Sequence, residues 1–139
     1  MRQHQQTLTI NTRGQGLTEF TLDVVEIVNA AEIEVGVVHI FCRHTSASLL
    51  VQENADPEVQ RDLVAFFQRL VPDGDPLFIH RSEGPDDMPA HVKSALTQTT
   101  LTIPISRGRM MLGTWQGIYL FEHRTRPHTR EIVVHVLGD

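Results

Sequence analysis

Three histidines stand near the ends of predicted strands and helices and are the first candidates for chemistry. His44 closes the run VGVVHIFCRH, His80 lies in FIHRSEG before a turn, and His91 follows EGPDD in the first turns of a helix. Three neutral imidazoles bind zinc or a similar ion and leave one position open for water or substrate. Their spacing fits no short metal motif such as HExxH or CxxC, so isolated histidines remain the alternative to a site of His44, His80 and His91.

The segment HTSAS after the first of these histidines offers a second kind of chemistry. Ser46 or Ser48 beside His44 would form a nucleophile and base pair. The chain lacks a GxSxG elbow, and no orienting acid is specified. Hydrogen bonds from these hydroxyls to the backbone of the turn are therefore the favoured interpretation.

Two polar side chains just before the second predicted helix lack a structural explanation. Asp56 and Pro57 are sufficient to start that helix, as N-cap and first helical residue. Glu53 and Asn54 precede them and are not needed for the cap. We therefore treat Glu53 and Asn54 as candidate site residues.

A glycine-flanked bend, GTWQG, holds the one tryptophan of the chain. Trp115 fits either a core position or a stacking face for a ligand, whereas Gln116 beside it is harder to place in a core. The bend is therefore a further candidate for ligand binding.

A basic segment, EHRTRPHTR, follows the bend and carries Arg124, Arg126 and Arg130. Local positive charge on an acidic chain suits a small anionic ligand better than a long polyanion. A solvated loop is the alternative interpretation.

The composition is that of a globular protein with one domain, residues 1–139. The formal net charge of -5 argues against a nucleic-acid-binding protein, which would carry a basic surface. No apolar run approaches the roughly 20 residues that cross a bilayer, and the N-terminus lacks a signal-peptide core. Because the single Cys42 cannot form an internal disulfide, we expect a cytoplasmic protein without a membrane partner.

Apolar patterning predicts a seven-stranded β-sandwich-like domain with about three helices. Because the helices interrupt a hairpin-rich chain, the fold class is α+β. The predicted elements, in order, are strand Gln6–Thr12, a returning hairpin strand Leu17–Leu22, a helix capped by Asp23, strand Val35–His44, strand Ala47–Glu53, a helix from Pro57, a helix capped by Asp86 or Asp87, and strands within TLTIPI, RMMLGTWQGIYLFEHR and REIVVHVLG.

The same patterning predicts which faces are buried. VGVVHIFCRH is nearly continuously apolar, which is typical of a strand covered on both faces. The third helix should turn Val92, Ala95 and Leu96 inward. The helix from Pro57 carries one apolar stripe, formed by Val59, Leu63, Phe66, Phe67 and Leu70.

Three segments resemble the YjbQ-type family, whose members are often named secondary thiamine-phosphate synthase enzymes. The segments are HTSASLLVQENADPEVQRDL, EGPDDMPAHVKSAL and GRMMLGTWQGIYLFEHR. Their motifs HTSAS, ENxDP, DxxxxH and GTWQ follow the family's order, and the resemblance covers essentially the whole chain.

The resemblance implies a small α+β domain built around a β-sandwich and assembled as a homotrimer. It implies a divalent-metal or catalytic cluster of His44, His80 and His91, with zinc as the first candidate ion and Mg²⁺ as the second. Many relatives carry an Asp-Gly turn where this chain has His123 and Arg124, so the roles of Arg124 and Arg126 stay open. The family's recurring polar positions fall on Ser46, Glu53, Asn54, Asp87, Gln116, Glu122 and Arg130.

The first functional hypothesis, taken from the resemblance, is a thiamine-phosphate synthase activity that is secondary for the family. Such an enzyme joins a pyrimidine methyl diphosphate to a thiazole phosphate and releases pyrophosphate. A divalent ion would hold the diphosphate, Arg130 would neutralise phosphate oxygens, and Trp115 would stack on a ring. The other expected substrate-binding residues are Ser46, Asn54 and Gln116.

Two alternatives stay open beside this hypothesis. Three histidines suit zinc better than Mg²⁺, so the second hypothesis is a zinc-dependent hydrolase of a small phosphorylated or acyl metabolite. Glu53 or Asp87 would then serve as general base. The third is a non-catalytic trimer that binds a metal or a metabolite.

Overall fold

The computed structural model describes residues 1–139 as three helices and eight strands. The helices are α1 (Thr21–Ala31), α2 (Pro57–Leu70) and α3 (Asp87–Leu96). The strands are β1 (Arg2–Asn11), β2 (Gly16–Glu19), β3 (Val35–Cys42), β4 (Ala47–Glu53), β5 (Thr100–Ser106), β6 (Arg109–Met110), β7 (Gln116–Glu122) and β8 (Thr129–Gly138). The α+β class is confirmed, and the count of strands exceeds seven because the short β6 pairs with the end of β5.

The strands form two antiparallel sheets. The five-stranded sheet has the order β1-β8-β3-β5-β6, and the three-stranded sheet has the order β2-β7-β4. The hydrophobic core draws side chains from both sheets and from α1. The predicted hairpin of β1 with Leu17–Leu22 is wrong, because Gly14 and Gly16, with φ of 136° and 153°, redirect the chain and β2 pairs with β7 instead.

Strand β3 is covered on one face only. Val38, Ile40 and Cys42 are buried, whereas Val35 and Phe41 on the other face are 65% and 50% exposed. The expectation of a strand covered on both faces is therefore wrong for the single chain. The outer face of the five-stranded sheet keeps exposed apolar side chains.

Helix α1 begins two residues before the predicted N-cap. Phe20 occupies the N-cap position, and Asp23 lies in the first turn. Phe20 is buried, and the Thr21 hydroxyl donates to Glu19 and accepts from the Ile118 backbone N–H. These contacts fix the entry of the chain, so the helix forms without a side-chain cap.

Helix α2 begins as predicted but does not bury its stripe. The Asp56 carboxylate accepts the Glu58 backbone N–H at 2.9 Å, and Pro57 is the first helical residue. Phe67 packs edge-on against Phe121, yet no residue of the helix is fully buried. Half of the Phe66 side chain is exposed.

Helix α3 buries a polar face rather than the predicted apolar one. Its buried residues are Asp87, Pro89, Ala90, Lys93 and Ser94, whereas Leu96 is 57% exposed. Asp86 occupies the predicted N-cap position, but its side chain makes no capping hydrogen bond, and Asp87 is the first helical residue. Both aspartates instead form ion pairs with Arg124 at the end of β7, and these pairs set the orientation of the helix. None of the three helices has the length and apolar character that crossing a membrane requires.

Candidate metal centre

Four side chains around the start of α3 form a group of metal-ligating type. They are His80, Glu83, Asp87 and His91, and one ligand atom of each lies within 4.8 Å of those of the others. His80 and Glu83 lie in the loop between α2 and α3, and Asp87 and His91 are one turn apart on the helix. Two imidazoles and two carboxylates are the donor mixture of zinc and related ions.

Asp87 is the centre of this group. Its Oδ2 lies 2.7 Å from His80 Nε2 and 3.1 Å from His91 Nε2, and its side chain is almost fully buried. Burial alone would raise the pKa of Asp87, but the hydrogen bond with His80 and the nearby positive charge of Arg124 hold it below its usual value. Asp87 is therefore a carboxylate at neutral pH.

His91 has an oxygen beside each ring nitrogen. Nδ1 lies 2.9 Å from the Thr45 carbonyl oxygen, and Nε2 faces Asp87 Oδ2. A neutral imidazole has one N–H, so it donates to one of these oxygens and its other nitrogen carries a lone pair that suits a cation. Donation from Nδ1 to a backbone carbonyl, with Nε2 turned to an ion, is the usual arrangement of a metal-binding histidine.

The structure does not bring His44 into this group. The backbone N–H of Glu131, on β8, donates to His44 Nε2 at 2.7 Å. Burial, followed by the charge of Arg130, lowers the pKa of His44, so its ring is neutral. His44 precedes Thr45, which holds His91, but it contributes no ligand atom to the four-residue group.

Two predicted site residues, Ser46 and Arg130, belong to a buried polar cluster. Arg130 donates from Nε to Glu122 at 2.7 Å and from Nη2 to the Ser46 hydroxyl at 3.0 Å. Thr12 donates to the same glutamate at 2.8 Å. Burial alone would raise the pKa of Glu122, but these hydrogen bonds, led by that of Arg130, lower it. The Arg130 guanidinium is thus already engaged within the chain.

His123 was not among the residues selected from the sequence, yet it is a buried polar group next to this cluster. Its Nε2 lies 2.8 Å from Ser48 Oγ, and its Nδ1 has no hydrogen-bond partner. Burial, reinforced by the charge of Lys93, lowers the pKa of His123 to about 3. With 1% exposure the ring cannot reach a substrate, so the Ser48–His123 pair is structural.

The other predicted residues meet at the far end of β4. Ala47 pairs with Glu122 at one end of the strand, and Glu53 pairs with Gln116 at the other. Six steps along a strand span about 20 Å. Within one chain, therefore, Glu53, Asn54 and Gln116 lie well away from the other end of β4. Thr45 lies just before that end and contacts His91 of α3.

This far group combines a buried carboxylate oxygen with an exposed indole. Glu53 Oε2 is inaccessible and has no partner, and Asn54 donates to Glu19 at 3.3 Å. Trp115 is 63% exposed, so it is not a core residue. Gln116 accepts the Gly113 backbone N–H at 2.8 Å, which closes the loop that carries the indole.

Sequence reasoning missed one member of the metal-ligating group, Glu83, and the contact that Arg124 makes with it. Glu83 was read as part of a turn, and the role of Arg124 stayed open. A signal existed for Glu83, because His80, Glu83, Asp87 and His91 fall within one window of the sequence. Arg124 gives no such signal, because only the tertiary fold brings the segment after β7 to Asp86 and Asp87.

A cavity of about 370 Å³ opens beside the group. His80 lines it and also belongs to the metal-ligating group. Phe78 and Met88 provide apolar wall, and Arg81 provides a positive charge. The size is that of a site for a small metabolite.

The fold and the site together define a small α+β protein with a histidine–carboxylate centre at the start of its third helix. The sequence profile of the YjbQ-like UPF0047 proteins matches residues 6–139, and the chain belongs to this family. It is 52% identical to a UPF0047 protein of Synechocystis over 99% of this chain and 94% of that one. It is 39% identical to UPF0047 protein YjbQ of Escherichia coli O157:H7, over 98% of this chain and 99% of that one.

Solved structures share the fold. A YjbQ/UPF0047 protein of Clostridium acetobutylicum superposes with a TM-score of 0.87 at 31% identity, covering 94% of this chain and 98% of that one. A conserved hypothetical protein of Thermus thermophilus, TT1486, gives 0.84 at 35% identity, with the same coverage.

Proposed function

We propose that this protein is a divalent-metal enzyme that acts on a small phosphorylated metabolite. His80, Glu83, Asp87 and His91 would hold the ion, with zinc as the first candidate and Mg²⁺ as the second. The observation that carries the proposal is His91, whose two nitrogens both face oxygen atoms inside a group of four ligand-type side chains. His44 stays a sequence-based prediction as a ligand.

The reaction we propose first is formation of thiamine phosphate from a pyrimidine methyl diphosphate and a thiazole phosphate. A bound divalent ion would neutralise the negative charge of the departing diphosphate. Arg81 lines the cavity, and although its Nε and Nη2 donate to the Phe78 and Pro76 carbonyls, its Nη1 would contact phosphate oxygens. Phe78 would lie against an aromatic ring. Arg130 stays a prediction for this role, and its pairing with Glu122 favours a supporting one.

A zinc-dependent hydrolase is the second candidate, and the donor set favours it. Two imidazoles with carboxylates resemble the ligands of zinc hydrolases more than the oxygen-rich sites of Mg²⁺. Glu83 is exposed and is the carboxylate best placed to serve as base if it does not bind the ion. A single phosphorylated or acyl metabolite would then be the substrate.

We also propose that the protein works in the cytoplasm as a homotrimer. The apolar, exposed Val35 and Phe41 on the outer sheet face and Phe66 on α2 support assembly, because such side chains are usually covered. Assembly would also give a role to Glu53 and Trp115, which lie far from the metal-ligating group of their own chain. In the trimer, Glu53 and Trp115 of one subunit would lie at the substrate site of the neighbouring subunit.

One set of assays separates the candidates. Purified wild-type protein is incubated with either or both thiamine precursors, and separately with single phosphate esters, with and without a chelator. Pyrophosphate release that needs both precursors supports the synthase, and turnover of one substrate supports the hydrolase. Both activities should disappear in His91→Ala and persist in His128→Ala, which replaces a histidine outside the group. Stabilisation by a ligand without turnover would contradict an enzyme and favour a binding protein.

A further inference from the structure

Arg124 contacts the metal-ligating group from behind. It is 9% exposed, and Nε, Nη1 and Nη2 each have a different partner. Nε donates to Asp86 Oδ2, Nη1 pairs with Asp87 Oδ1, and Nη2 donates to the Glu83 carbonyl oxygen, each at 2.9 Å. One planar guanidinium thus holds the loop that carries Glu83 and the first residue of α3.

This contact gives the two oxygens of Asp87 different partners. Oδ1 belongs to Arg124, and Oδ2 alone faces His80 and His91. A carboxylate held in this way offers one oxygen to an ion, because turning the second oxygen forward would leave the buried guanidinium without its partner. A buried charge without its partner is unfavourable.

We propose that Arg124 is a positioning residue that makes Asp87 a one-oxygen ligand and thereby selects the metal. The inference rests on the metal centre proposed above and adds which class of ion it takes. Two imidazole nitrogens and the one Asp87 oxygen give three fixed donors, and the exposed Glu83, a water or the substrate would complete the four that zinc prefers. Ca²⁺ prefers six to eight oxygens, often with two-oxygen carboxylates, and Mg²⁺ prefers six in an octahedron.

The positive charge of Arg124 also favours zinc over hard ions such as Ca²⁺ and Mg²⁺. It offsets one of the two carboxylate charges of Glu83 and Asp87, and hard ions such as Ca²⁺ depend on ligand charge for affinity. Imidazole nitrogens bind zinc and Co²⁺ without needing that charge. A lysine would keep the charge but could not reach three partners with fixed geometry.

The test uses the visible spectrum of the Co²⁺-loaded protein, together with competition between Zn²⁺ and Mn²⁺. The wild type should show the intense absorption of four-coordinate Co²⁺ and a strong preference for Zn²⁺. In Arg124→Gln, Asp87 is free to offer both oxygens, so the absorption should weaken and the Zn²⁺ preference should fall about 10- to 100-fold. Arg124→Lys should behave like Arg124→Gln, and the control Arg126→Gln, an exposed arginine, should match the wild type.

Three results would overturn the inference. The first is a six-coordinate Co²⁺ spectrum in the wild type, a result that does not depend on whether the Arg124 variants fold. An unchanged spectrum in folded Arg124→Gln would do so as well. A wild-type spectrum in Arg124→Lys would show that charge alone sets the site. If the wild type binds neither Zn²⁺ nor Co²⁺, the metal centre itself is wrong, which is a failure of the proposed function.

Discussion

Glu122 and Arg130 form an ion pair with almost no solvent contact, at 1% and 4% exposure. Removing one partner leaves the other charge buried and alone, so Arg130→Ala should lower the free energy of unfolding by about 3–5 kcal/mol. Arg43→Ala is a matched control, because Arg43 pairs with Glu131 at 2.6 Å on the surface. The control should cost less than about 1 kcal/mol. Urea unfolding measures both values, and similar losses would contradict the buried pair.

His123 should make the protein sensitive to acid. Its pKa is about 3 in the folded chain, against an ordinary value of 6.5. Between these values the unfolded state binds the extra proton, so stability is complete above pH 6.5 and falls as the pH drops towards 3. The loss should be on the order of a few kcal/mol.

The measurement for His123 is urea unfolding at several pH values between neutral and mildly acidic. In His123→Gln the slope of stability against pH should be smaller than in the wild type, whatever the variant's stability at neutral pH. His128→Gln should keep the wild-type slope. Equal slopes in the wild type and in His123→Gln would mean that other groups carry the acid sensitivity.

Residue types made His80 and His91 candidates and the family resemblance added Asp87, but neither showed how these side chains meet. The spacing could not show that the His44 ring accepts a backbone N–H of Glu131, which is 87 positions later in the chain. Nor could it show that Arg124, in the segment after β7, reaches Asp87 at the start of α3. The four ligand-type residues lie in one short window of the sequence, whereas the contacts of His44 and Arg124 join distant segments that no local pattern encodes.

At the scale of elements, the pairing of β3 with β8 depends on a close backbone approach. A Cβ on Gly36 would overlap the Leu137 carbonyl oxygen and lie 2.8 Å from Gly138 Cα. Gly36→Ala should therefore separate the strands and cost about 3 kcal/mol. Gly113→Ala is the control, since its Cβ would meet only the Gln116 side chain, at 3.4 Å. Thermal unfolding compares them, and equal melting temperatures would contradict the clash.

Local sequence patterns predicted some features of the helices correctly and others wrongly. The Asp56–Pro57 start of α2 was predictable, because a cap and a first-turn proline act within a few residues. The buried face of α3 was not predictable from apolar spacing. Its aspartates are drawn inward by Arg124, and Ser94 donates to the Ala47 carbonyl at 3.4 Å, so polar contacts override the apolar stripe.

At the scale of the whole molecule, the open face of the five-stranded sheet predicts self-association. The continuous apolar pattern of β3 indicated coverage on both faces, and a second copy would supply the missing cover. For the homotrimer proposed above, light scattering should give a mass three times the 15.7 kDa of one chain. Phe41→Gln on that face should shift the mass towards one chain, and Arg126→Gln should not.

A wild-type mass of one chain would contradict the trimer. A trimer unaffected by Phe41→Gln would place the interface elsewhere, with Phe66 on α2 as the next surface to replace. Either result would leave the metal-ligating group unchanged, because all four of its members belong to one chain.

The central claim is the metal centre, and metal content tests it most directly. Mass spectrometry of gently purified, untagged protein should find close to one zinc or similar ion per subunit. His91→Ala should remove the ion and Glu83→Gln should weaken its binding, while both variants stay folded. His44→Ala should retain the ion if the four-residue group is the site, and should lose it if the three-histidine site is correct. Wild-type protein that holds no metal even after reloading, or His91→Ala that holds as much as wild type, would contradict the account.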